Sequence, residues 1–151
     1  MKTVIQRVLN SSVSIDKNNQ RSIGYGLVLF VGFCNDDFED DLNWTINKIL
    51  KMNILYSKES SNPLCITEAK AEILVISQFT LLASLKKGKK PSWHKAANTE
   101  AAKILYNKFI NKLSSDYDEK KIQRGYFGEK MNVHLNNDGP FTILLDSKIK
   151  S

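Results

Sequence analysis

Histidine is scarce in this chain: His94 and His134 are the only two in 151 residues. Neither has an acidic neighbour at a spacing suited to orienting an imidazole, so a histidine-based triad has little to build on. The two cysteines, Cys34 and Cys65, show no metal-ligand spacing, and without a secretory signal they read as reduced thiols in a cytosolic protein. No apolar run approaches the roughly 18 residues of a membrane span. After Lys2 the N-terminus alternates like a strand and does not continue as a signal peptide. The G-x-S-x-G elbow, the H-E-x-x-H zinc helix and the phosphate-binding P-loop are all missing. The expectation is a cytoplasmic protein with no metal, no cofactor and no membrane partner.

The remaining composition is that of a soluble globular chain, 42% apolar and 25% charged. Its length fits one domain, residues 1–151, with a real core. A net charge of +6 favours a polyanion as partner over a small anionic metabolite, although lysine-rich composition by itself produces the same sum.

Periodicity predicts strands over residues 1–15, 24–33, 53–56, 72–80, 120–123, 131–135 and 141–145. The run G-Y-G-L-V-L-F-V-G-F from Gly24 to Phe33 is apolar throughout and should be a central strand buried on both faces. Acids crowd the start of one helix ending near Lys51, where the dipole favours them. A second, longer helix is predicted over 94–113, and residues 57–63 read as a loop. The sum is one α+β domain with a mixed or largely antiparallel sheet and two main helices.

Three polar signals stand out. The strand at 72–80 is apolar through Ile76 and then becomes S-Q-F-T, Ser77 to Thr80. Hydroxyls, an amide and backbone N–H groups at a fixed strand end can surround a developing oxyanion, or simply cap the strand. Downstream, Lys86, Lys87, Lys89 and Lys90 share a loop with Gly88 and Pro91, beside Trp93. Such a loop is either a phosphate clamp with an aromatic platform or a solvated surface. Lastly, N-N-D-G-P sits between two β-prone runs, but Pro140 follows Gly139 and has no N–H to donate to a hairpin ladder.

S-Q-F-T-L, K-K-G-K-K-P-S-W and N-D-G-P-F-T, in that order, resemble the D-aminoacyl-tRNA deacylases, and the likeness runs from V-I-Q-R-V to L-L-D-S, nearly the whole chain. F-G-E-K-M-N-V, Phe127 to Val133, matches the stretch leading into that family's last strands. The resemblance implies a homodimer with a β-barrel-like fold that hydrolyses the ester between a D-amino acid, or glycine, and the acceptor end of tRNA. It implies catalytic positions Ser77, Gln78, Phe79 and Thr80, with Gly139 and Pro140, joined by a cis peptide bond, entering from the partner subunit. Asn137, Phe127, Met131 and Arg7 are implied to bind substrate or hold the Gly-Pro, and the lysine loop to contact RNA. At Tyr126 the family usually has a basic residue; Arg124 and Lys130 are the candidates to replace that charge. Rival readings are a deacylase of relaxed chirality, a non-catalytic RNA-binding module, and an esterase acting on free amino-acid esters.

Overall fold

A computed structural model describes residues 1–86 and 88–151. Lys87, one of the four loop lysines singled out above, lies outside the described residues. The strands are β1 (Lys2–Ser14), β2 (Gln20–Ile23), β3 (Gly26–Gly32), β4 (Leu55–Ser57), β5 (Ser60–Leu64), β6 (Glu72–Ser77), β7 (Ile122–Arg124) and β8 (Asn132–Asp146). The helices are α1 (Glu39–Lys51), the single-turn α2 (Ile66–Ala69) and α3 (Thr99–Asp116). β1 pairs antiparallel with β2 and β3 on one edge and with β8 on the other. β3 then pairs parallel with β6, and β6 with β7, so the sheet is mixed. It curls into a nearly closed barrel. Arg21 of β2 reaches across the remaining seam, donating to the Arg124 and Gly125 carbonyls at 2.6 and 3.3 Å.

Alternation along β3 and β6 builds two cores. Leu27, Leu29, Val31, Ile73 and Val75 face α1 and α3, where Ile46, Ile49, Tyr106 and Phe109 close over them. Val28, Leu74 and Ile76 point to the other side, with Val8, Val13 and Ile23. Both faces are therefore covered, which is why these strands are apolar without interruption. Each fully buried Leu, Ile or Phe contributes roughly 1.5–3 kcal/mol.

Four expectations are revised. The strand at 72–80 stops at Ser77: Gln78 makes the last ladder bond, N–H to the Val31 carbonyl at 2.7 Å, and the chain then turns through a 3-10 helix, Phe79–Leu82. α3 begins at Thr99, not at His94, because the Asn98 side chain accepts the Ala101 N–H while the Ala97 N–H is committed to the Phe33 carbonyl. Residues 57–63 belong to the β4–β5 hairpin and not to a loop. The two C-terminal strands are one, β8.

β3 and β6 approach so closely that a Cβ at Gly26 would run into the Glu72 carbonyl. Because the obstacle is backbone, Gly26→Ala is expected to lower stability by about 1–3 kcal/mol or more. An unchanged urea midpoint would contradict this packing.

Candidate active site

The polar end of β6 opens into a cavity of about 480 Å³, a volume typical of small-ligand sites. Ser77, Gln78 and Phe79 form one wall, and Trp93, Asn98 and Phe127 line the rest. Trp93 meets the exposed Phe79 ring edge-on at 5.6 Å. Phe127 leans on Tyr106, 5.5 Å between centroids. The Tyr106 hydroxyl, pushed up to about 12 by burial, stays protonated and donates to the Val75 carbonyl at 2.9 Å, fixing α3 to β6 beneath the cavity.

Among the described residues the cavity wall carries no titratable side chain. What it does carry is backbone. Phe79, in the wall, and Thr80, the next residue and not itself part of the lining, are the first residues of the 3-10 turn, so their N–H groups have no carbonyl partner within it. Thr80 is exposed, and its hydroxyl takes a hydrogen bond from the Gln78 side-chain amide. His94 is spent elsewhere: its Nδ1 lies 3.2 Å from the Ser92 hydroxyl, at the base of the lysine loop. Reciprocal bonds of 2.8 and 3.0 Å between Ser84 and Ser92 pinch that base shut, leaving Lys86, Lys89 and Lys90 exposed beyond it.

The other predicted residues form a second group. On β8, Asn137 pairs with Val8 and Thr142 with Gln6, so residues 138–141 all stand opposite the single residue Arg7. This wide bulge carries Gly139 and Pro140, both exposed and joined by a cis bond. The Asn137 carboxamide spans its base, Nδ2 donating to the Arg7 and Phe141 carbonyls at 3.1 and 3.0 Å. A Cβ on Gly139 would collide with that carboxamide oxygen and with the Phe141 nitrogen. Arg7 donates through Nε to the Asp138 carbonyl at 3.1 Å and pairs with the Asp138 carboxylate at 2.8 Å.

The two groups are not adjacent within one chain. The bulge is level with Arg7, and Ser77 is level with Thr3, through Val31. From β8 through β1 and β3 to β6 is three strand steps, so by sheet spacings the groups lie on the order of 15–20 Å apart.

Met131 packs beside Ile76 and Gly125, its sulfur taking the Tyr126 N–H at 3.2 Å. The cation over the Tyr126 ring is Arg21, at 4.1 Å, a partner in sequence too remote to have been noticed. Asn98 and Tyr56 were also missed, since nothing local marks them, and Asp138, although inside the N-D-G-P motif, was given no role. Cys34, Asp36 and Asp37 stand close enough together to hold a metal ion, but the Asp37 carboxylate is already bound by the Met1 ammonium at 2.5 Å and by Lys148 at 3.2 Å. No helix among the described residues is long and apolar enough to cross a membrane.

Comparison with known proteins follows the same outline. The family model "D-Tyr-tRNA(Tyr) deacylase" matches residues 4–146. A D-aminoacyl-tRNA deacylase of Flavobacterium psychrophilum is 44% identical over 99% of both chains. The D-aminoacyl-tRNA deacylase 1 of Leishmania major is 42% identical over the full length of both. Among solved structures, the c-Myc DNA unwinding element binding protein superposes with a TM-score of 0.89 at 36% identity, covering 97% of this chain and 98% of that one. A probable eukaryotic D-amino acid tRNA deacylase shares the fold at 18% identity, TM-score 0.84, covering 95% and 97%.

Proposed function

The chain belongs to the D-Tyr-tRNA(Tyr) deacylase family and is a hydrolase of the aminoacyl-tRNA ester; we propose that it selects D-aminoacyl and glycyl esters by placing Gly139 and Pro140 of one subunit in the cavity of a second. The observation that carries this reading is the separation of the two groups: an exposed, internally braced dipeptide stands far from its own cavity. A two-fold dimer brings such surfaces together reciprocally. The outer edge of β8 supports it, since among the described residues that strand pairs only with β1, and it exposes Leu144.

Selection follows from shape. With the amino group and ester carbon held, exchanging enantiomers exchanges hydrogen for side chain at the α-carbon. A backbone wedge that accommodates hydrogen meets carbon in the L form, at about 1–3 kcal/mol or more, so roughly five- to 150-fold in rate. Glycine has nothing to clash and is accepted.

For the chemistry, the Phe79 and Thr80 amides polarise the ester carbonyl and hold the oxyanion. Water attacks the carbonyl carbon, and the bond to the ribose oxygen breaks, that oxygen leaving with a proton. Among the described residues the cavity supplies no base, so the vicinal ribose hydroxyl of the substrate positions and activates the water. Thr80 serves through its backbone, with its hydroxyl engaged by Gln78. Lys86, Lys89 and Lys90, together with Lys87, hold acceptor-end phosphates.

Multiple-turnover release of D-tyrosine from D-tyrosyl-tRNA tests the proposal, with apparent affinity falling as salt rises and with replacement of the loop lysines. Binding without turnover would favour a non-catalytic nucleic-acid module instead. Salt-independent hydrolysis of D-tyrosine esters lacking RNA would favour a simple esterase.

A further inference from the structure

Arg7 is held from more sides than an ion pair requires. Its guanidinium carbon lies over two rings, 4.5 Å from the Phe141 centroid and 5.1 Å from that of Tyr56. NH1 donates to the Ile54 carbonyl at 2.8 Å, so two of the guanidinium's contacts, with Phe141 and Asp138, lie on β8 and two, with Ile54 and Tyr56, on the β4 hairpin, while the Arg7 main-chain carbonyl accepts from Asn137. The hairpin is itself anchored: the Tyr25 hydroxyl accepts the Tyr56 N–H at 2.9 Å, and the Ile54 N–H bonds the Leu64 carbonyl at 3.1 Å. The Arg7 side chain is only 12% exposed and the Asp138 side chain 33%, so the pair is partly shielded from solvent and salt.

We infer that Tyr56 and Asp138 are positioning residues for substrate chirality: through Arg7 they fix the height and tilt of the Gly139–Pro140 dipeptide. The inference rests on the reading that this dipeptide is the chiral wedge. A planar cation packed over two rings and hydrogen-bonded at both Nε and NH1 cannot swing, and its Nε is thereby aimed at the Asp138 carbonyl, one residue before Gly139. Removing the Tyr56 ring takes away one of the two ring contacts. Neutralising Asp138 loosens the other end of the same link. In either case the wedge gains play, and an L substituent can displace it, while the cavity wall at Ser77 to Phe79 is untouched.

The test compares D- and L-tyrosyl-tRNA turnover for the wild type, Tyr56→Leu, Tyr56→Phe and Asp138→Asn, each checked for thermal unfolding. Tyr56→Leu and Asp138→Asn are expected to keep D turnover within about threefold while L turnover rises about tenfold, a loss of selectivity that converts to about 1.4 kcal/mol. Tyr56→Phe, which retains the ring, restores the wild-type ratio. Should Tyr56→Leu fail to fold, Asp138→Asn, a nearly isosteric change at a partly exposed site, decides the matter alone. A D/L ratio unchanged in folded variants overturns the inference while leaving the chiral wedge standing. A wild type without D/L preference overturns the wedge reading itself.

Discussion

D-Tyrosyl-tRNA whose terminal ribose lacks the free vicinal hydroxyl is expected to be hydrolysed about 10²–10⁴-fold more slowly than the intact substrate, the range associated with loss of general acid–base assistance. The reason is the cavity wall: Ser77, Gln78, Phe79, Trp93 and Phe127 contain nothing that takes a proton near neutral pH. Thr80→Ala, by contrast, leaves the Phe79 and Thr80 amides in place and should cost no more than about tenfold, because the oxyanion donors are backbone. Single-turnover hydrolysis of the paired substrates by wild type and Thr80→Ala measures both. A folded Thr80→Ala that binds tRNA yet is inert would establish the side chain as nucleophile instead.

Gly139→Ala should have the second largest effect. The new methyl would point into the bulge, against the Asn137 carboxamide and the Phe141 amide, and not away from it. The Phe141 nitrogen is backbone and cannot yield, and the Asn137 carboxamide is tied to the Arg7 and Phe141 carbonyls, so the dipeptide must shift. A wild-type D/L preference of about tenfold to a hundredfold is expected to collapse towards unity. Because Gly139 and Pro140 are exposed, thermal stability should change far less than selectivity does. A preserved ratio in folded Gly139→Ala would remove the dipeptide from the chiral step.

How much of this was legible in the sequence differs from element to element. β3 and β6 could be read because burial on both faces leaves no alternative to apolar residues. The change from Ile76 to Ser77 marked one wall of the cavity for the same reason. β8 was divided in two, since Pro140 reads as a strand breaker; in the fold it falls within a bulge, where a missing N–H interrupts no ladder bond. The start of α3 was misplaced because Ala97 extends the stripe of Ala101, Leu105 and Phe109 by one turn, whereas the Asn98 cap and the backbone bond from Ala97 to Phe33 decide the boundary. For Arg7 the resemblance implied a hold on the Gly-Pro, but its partners could not be read, since they lie 47 and 131 residues away and only the folded sheet brings them together.

The central claim, that one subunit's backbone edits the other's substrate, is tested most directly by mixing two defective chains. Gly139→Ala keeps its cavity but lacks a proper wedge. Phe79→Pro keeps the wedge but loses one oxyanion amide, at a position where proline fits the first residue of a helical turn, and alone should be slowed about 10²–10³-fold. After the two are unfolded and refolded together, half the dimers are mixed, each with one complete site, so D-selective turnover should return to about a quarter of wild type. A mixture no more selective than Gly139→Ala alone would contradict the account.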